Sequence, residues 1–211
     1  MRTIHKRKEP RALVEARVAG VTFGTLDAAT KGALRAQLVE EQGGLCCYCM
    51  ARIRPETCRI EHYRPQSSFP DEGMAYPNLL AACHGNEGAS PSLHHCDVRK
   101  ANRTIRFDPR HPSAHVDGVR YGANGDIRVP DPAHQDELDH VLGLNLEHLK
   151  RTRKAAVQTA LSALKRPDWD LTRVRRLYAK YVDESAGELP PYAGVVAQKL
   201  QRYLSSPSHG P

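Results

Sequence analysis

Apolar positions recur at helical spacing between Asp27 and Gln42, where Leu34 and Leu38 share a face. Thr25 or Asp27 can cap this helix and Gly43-Gly44 ends it. Before it, residues 1–24 read as a basic arm with a short helix over 10–19. Cys46 to Cys49 follows as a knuckle-like turn, and Arg59 to Arg64 has the make-up of a short strand. Residues 65–100 are rich in Pro, Ser, Gly and His and predict loops. The exceptions are an ordered stretch from Asn78 to Cys83 and a helix starting near Cys96. From Val116 to Val129, the apolar Val119, Tyr121, Ile127 and Val129 flank Gly122-Ala-Asn-Gly125, the pattern of a hairpin. Beyond Pro132, the series Leu138, Val141, Leu142, Leu144, Leu146 and Leu149 leads into a basic amphipathic helix ending near Lys165. Further helices are expected at 171–184 and 192–204. The pattern predicts an α+β centre followed by a helical C-terminal half, whose apolar face needs either the core or a partner to cover it.

With 211 residues, 40% hydrophobic and 26% charged, the chain has an ordinary globular composition and can bury a core. No apolar run approaches the roughly 18 residues of a membrane span. The basic opening lacks the apolar region of a secretion signal, because Glu15 and Arg17 interrupt it. A cytoplasmic location, with no membrane partner, is the expectation. The net charge of +7 is concentrated between Lys150 and Arg176, with nine basic residues against two acidic ones. That makes a polyanion such as nucleic acid a plausible partner, beside the plainer reading of a solvated helix face.

Six cysteines without a secretion signal favour metal or thiol chemistry over disulfides. Cys46, Cys49, Cys83 and Cys96 supply the four ligands that tetrahedral zinc requires. The first two are separated by two residues, whereas the later two need the twelve residues 84–95 to loop out. Cys47 could substitute for a neighbour, and His84, His94 or His95 for a late cysteine. The plainer alternative is that the cysteines are small buried hydrophobes, which is the reading for Cys58. Between the pairs, Glu61-His62 sets a carboxylate beside an imidazole. Together they could hold a hard cation and polarise a water for phosphodiester hydrolysis, provided that they converge at a strand end.

The order of these pieces resembles the zinc-bearing branch of the HNH, or ββα-metal, nucleases: Cys46-Cys-Tyr-Cys49, Glu61-His62, Asn78-Leu, then Cys96-Asp-Val-Arg-Lys100. The resemblance implies a zinc-pinned ββα-metal core with Zn²⁺ on the four cysteines and Mg²⁺ or Mn²⁺ on Glu61 and Asp97. It further implies that His62 is the general base, Asn78 the residue that orients it, and Lys100 a phosphate contact. Glu61 and Asp97 depart from the more usual Asp and Asn or His, yet both keep an oxygen ligand. On this reading residues 1–26 are the arm, 27–110 the nuclease core, and 111–211 a hairpin and helical region that binds a partner. A narrower similarity covers about residues 30–165, through Gln42-Gly-Gly-Leu-Cys-Cys-Tyr-Cys49, Ile60-Glu-His-Tyr-Arg-Pro65, Phe107-Asp-Pro109 and Leu144-Asn-Leu146. These strings look like the PtuB-like HNH subunits of Septu and retron-associated antiphage systems. That similarity implies a PtuA-like ABC/SMC ATPase partner and a nucleic-acid substrate, DNA foremost, with RNA or tRNA open. The alternatives are a non-catalytic zinc module and a standalone HNH nuclease outside defence.

Overall fold

A computed structural model describes residues 1–112, 115–164 and 170–205. Two short helices open the chain, α1 (Arg11–Val18) and α2 (Ala28–Glu41). Asp27 caps α2 by accepting from the Thr30 amide at 2.8 Å, while Leu34 and Leu38 are buried on its inner face. The chain then makes a tight hairpin, closed by the Leu45–Arg52 bridge, with Cys46 and Cys49 at its tip. Strand β1 (Arg59–His62) pairs antiparallel with β2 (Leu79–Ala82), setting Glu61 opposite Leu80 and His62 opposite Leu79. The expected strand over 59–64 is thus two residues shorter. After His62 the backbone leaves the ladder for a loop that returns through Asn78. The one-turn helix α3 (Cys96–Lys100) follows.

Strands β3 (Arg120–Tyr121) and β4 (Ile127–Arg128) form the second hairpin, shorter than the sequence suggests. Residues 116–118 wind instead into a single 3-10 turn. The leucine series does not run unbroken into the basic helix. Helix α4 (Pro132–Asp136) passes into a π turn over Glu137–Val141, and the chain breaks at Gly143, with φ of +63°, before α5 (Glu147–Ser162). The break frees carbonyls for other work. That of Leu142 accepts the Cys96 amide at 2.8 Å, and that of Leu144 accepts from Arg153 at 2.6 Å. The expected end of α5 near Lys165 lies outside the described residues. Helices α6 (Leu171–Val182) and α7 (Ala193–Ser205) pack on each other, and α7 also packs on α5 and β3.

Buried apolar side chains from the arm, the centre and the C-terminal helices form one cluster, running from Ile4 through Leu38 and Leu80 to Leu142 and Leu200. The apolar face of the tail is therefore covered by the centre of this same chain. Two backbone bonds fasten the tail to the cysteine hairpin and the turn leading into it, Leu189 to Gly43 at 3.0 Å and Tyr192 to Met50 at 2.8 Å. Among the described residues no helix is long and apolar enough to cross a membrane.

Candidate metal centre and adjoining acid-histidine site

The sulfurs of Cys46, Cys49, Cys83 and Cys96 lie within 4.8 Å of one another. Two edges of the cluster are Cys49–Cys83 at 3.7 Å and Cys46–Cys96 at 3.9 Å. A zinc–sulfur length near 2.3 Å in a tetrahedron sets the sulfurs about 3.8 Å apart, so this cluster fits such an ion. Backbone amides also point at the thiolates, from Cys83 to Cys46 at 3.3 Å and from Ala51 to Cys49 at 3.4 Å. Burial pushes the Cys96 thiol well up and neighbouring thiols do the same to Cys49, a mutual opposition that a dication relieves.

The twelve-residue excursion between Cys83 and Cys96 closes on itself at its neck. The His95 amide donates to the Gly85 carbonyl at 3.0 Å. Gly85 has φ of +53°, and a Cβ there would stand 2.1 Å from the His95 carbonyl oxygen. Only glycine lets the two ends of the loop come so near, which brings Cys96 back to the other ligands. Cys47, left open as a substitute ligand, lies outside the cluster; it is buried, and its amide donates to Ala81 at 3.0 Å. His95 stays beside the cluster, with Nδ1 3.1 Å from the Cys96 sulfur. Cys58 is buried outside the cluster, as expected.

Beyond the cysteines, β1 and α3 bring together Glu61, Asp97 and Lys100. Glu61 is 2% exposed, and its Oε1 accepts from the Tyr48 hydroxyl at 2.7 Å and Lys100 Nζ at 2.8 Å. Burial, reinforced by a hydrogen bond with Asp97, pushes the Glu61 carboxyl up to about 8 against the opposing pull of Lys100. The carboxyls of Glu61 and Asp97 together offer the oxygen donors that a hard dication takes. Asp97 also accepts from Arg59 at the mouth of the site. Lys100 does not face solvent, as a phosphate contact would. It is 0% exposed, and its ammonium also donates to the His62 carbonyl at 3.0 Å, so it braces Glu61 and β1 from within.

His62 and Glu61 share no side-chain partner, as befits neighbours on a strand. The His62 Nε2 lies 3.0 Å from the Gly73 carbonyl, an acceptor only, so Nε2 carries the proton and Nδ1 keeps its lone pair. The amide of Gln66 stands 3.4 Å from that Nδ1, and Phe23 packs edge-on at 4.4 Å between ring centroids. Burial lowers the His62 pKa from its ordinary value of 6.5, which favours the neutral base. The hydrogen bonds of the Asn78 side chain do not go to His62. That side chain accepts the Arg64 amide at 2.8 Å and donates to the carbonyls of Arg64 at 3.0 Å and Glu72 at 3.2 Å. It thereby clips both ends of the 64–72 loop, whose next residue, Gly73, holds the imidazole.

The sequence pointed to neither Gly73 nor Gln66 nor Tyr48. A backbone carbonyl has no side-chain signature. The only available signal for Gln66 was its place four residues after His62.

The chain is thus a mixed helix and small-sheet protein with a four-cysteine centre able to hold a metal such as zinc, compatible with an α+β HNH-like fold. No protein-family model matches it. It is similar to a candidate HNH endonuclease of retron Vc95 from Vibrio cholerae serotype O1 biovar El Tor, with 26% identity over 144 residues that cover 64% of this chain and 68% of the relative. That likeness suggests a nuclease.

Proposed function

We propose that the chain is a metal-dependent HNH endonuclease hydrolysing nucleic-acid phosphodiester bonds, and the nuclease subunit of a cytoplasmic antiphage complex. The observation that carries the catalytic reading is an imidazole held by the Gly73 carbonyl at Nε2, whose Nδ1 lone pair meets the Gln66 amide at 3.4 Å, next in sequence to the buried carboxyl of Glu61. Similarity to a retron HNH protein supports the setting in defence. A PtuA-like ABC/SMC ATPase is the proposed partner. The sequence contains no Gly-x4-Gly-Lys-Ser/Thr loop, so ATP chemistry falls to that other subunit.

In the proposed reaction His62 Nδ1 accepts a proton from water as the water attacks phosphorus in line with the departing 3′ oxygen. Gly73 holds the imidazole by Nε2, and Asn78 keeps Gly73 in place. Glu61 and Asp97 would hold Mg²⁺ or Mn²⁺, which, when bound, supplies positive charge against the phosphate and the leaving oxygen. Lys100 acts as an internal brace, replacing the phosphate-contact role implied by the resemblance. The cysteines would hold a structural Zn²⁺. The test is cleavage of plasmid DNA and of RNA with Mg²⁺ or Mn²⁺, by the chain alone and with a co-expressed ATPase. Cation-dependent products bearing 5′ phosphate and 3′ hydroxyl ends are expected. No cleavage under either condition, with zinc bound, would favour a non-catalytic zinc module.

A further inference from the structure

A cavity of about 230 Å³ opens between the β3–β4 hairpin, α5 and α7, and none of the proposed metal ligands, nor His62, lines it. Arg153 and Lys154 of α5 and Lys199 and Arg202 of α7 line it, and no aspartate or glutamate does. Among the described residues none of these four cations forms an ion pair. Arg153 is 1% exposed, and its guanidinium donates only to uncharged oxygens, to Gly125 at 2.6 Å, Leu144 at 2.6 Å and Asn145 at 3.4 Å. Those bonds satisfy N–H groups without cancelling the charge, and a buried cation lacking a counter-charge is costly. The cysteine cluster reaches Arg153 electrostatically through Cys49 and Cys96, so Arg153 alone would argue for nothing. Among the described residues Lys154, Lys199 and Arg202, gathered at the same opening, have no carboxylate partner, and Lys199 sits over the Tyr203 ring at 4.7 Å.

The walls are fixed. Gln198 accepts the Tyr121 amide at 2.9 Å and donates to the Val119 carbonyl at 2.9 Å, pinning the hairpin to α7. Gly125 has φ of +86°, and a Cβ there would meet the Lys150 carbonyl at 2.2 Å, so the turn is pressed onto α5. Tyr121, Val157 and Val195 add apolar surface to the lining, beside the polar Gln158.

We infer that this cavity binds a phosphate monoester with a small, apolar-faced body, the size limit being one nucleotide. A phosphate monoester carries about −1.5 to −2 charge at neutral pH, matching a cluster of cations better than a carboxylate does. The volume lies below the roughly 300–1,000 Å³ of drug-sized ligand sites, so at most about one nucleotide of a ligand is enclosed. The ligand is either a free mononucleotide or the 5′-terminal nucleotide of a strand. The inference does not rest on the proposed nuclease activity.

Calorimetric titration of the zinc-loaded full chain with AMP, adenosine, and one oligonucleotide with or without a 5′ phosphate tests it. AMP should bind saturably and adenosine at least tenfold more weakly. The pair Lys154→Glu, exposed, with Lys199→Glu, half-buried, should weaken AMP at least tenfold, with circular dichroism and zinc content unchanged. Arg202→Gln provides the same comparison should the double variant misfold. Tighter binding of the phosphorylated oligonucleotide, lost with the same lysines, assigns the strand end; AMP at least as tight assigns the free nucleotide. Absence of saturable binding by both phosphorylated ligands at about 1 mM overturns the inference. So does affinity that is indifferent to the phosphate or to the charge reversals.

Discussion

His62 has its two ring nitrogens in different company, and that asymmetry governs the chemistry available to it. A carbonyl takes the proton of Nε2, while Nδ1 faces only the Gln66 amide at 3.4 Å. Because burial lowers its pKa, the imidazole remains neutral at pH values where an ordinary histidine is already charged. A base must be unprotonated to act, so cleavage should hold its rate as pH falls to 6.5 and decline only below it. A pH–rate profile breaking above 6.5 would assign the base elsewhere. Lys100 gives a second residue-scale test. Removing a buried cation from its ion pair typically costs about 3–5 kcal/mol. Lys100→Met should therefore lower the urea midpoint strongly, whereas loss of a phosphate contact would raise KM and leave stability unchanged. Asn78→Ala should cost about 1–3 kcal/mol for the backbone groups it leaves unpaired and slow turnover by loosening the Gly73 carbonyl. The four-cysteine cluster was legible in the sequence because its chemistry resides in side chains. The Gly73 carbonyl was not, and the inward aim of Lys100 depends on packing that charge and spacing do not encode.

Among the elements, the loop from Cys83 to Cys96 shows how a wide ligand spacing still closes a compact centre. Its neck is the Gly85–His95 contact, and no side chain larger than hydrogen fits there. Gly85→Ala should release bound zinc or lower its affinity, as metal analysis would show. Gly88→Ala serves as the control, since its Cβ meets nothing within 4 Å although its φ of +89° is as unfavourable. Comparable zinc retention in both variants would mean that closure at Gly85 is not what holds Cys96. Helices with a clear cap or stop, such as α2 between Asp27 and Gly43, were readable to within a residue or two. The leucine series was not, since its periodicity continues through Gly143 while the backbone there turns aside to supply carbonyls to Cys96 and Arg153. A spacing of apolar residues reports which positions are buried, and Leu142 and Leu144 are, but it does not report that the helix is interrupted.

For the whole molecule, the cysteine centre is the junction at which the parts meet. Cys46 and Cys49 come from the early hairpin, Cys83 follows β2, Cys96 opens α3, and the tail bonds to the same hairpin at Gly43 and Met50. Chelating a structural metal should therefore unfold the tail together with the centre, visible as one cooperative loss of helical signal. The central claim is that this scaffold holds His62 as the base of a cation-dependent nuclease, and the most direct measurement is nucleic-acid cleavage by wild type and His62→Ala side by side. With the proposed ATPase present and Mg²⁺ or Mn²⁺ supplied, His62→Ala should retain its fold and zinc yet cleave about 10²- to 10⁴-fold more slowly, the usual cost of losing a general base. Cleavage by His62→Ala at the wild-type rate, or wild-type cleavage undiminished by a chelator of Mg²⁺ and Mn²⁺, would contradict it.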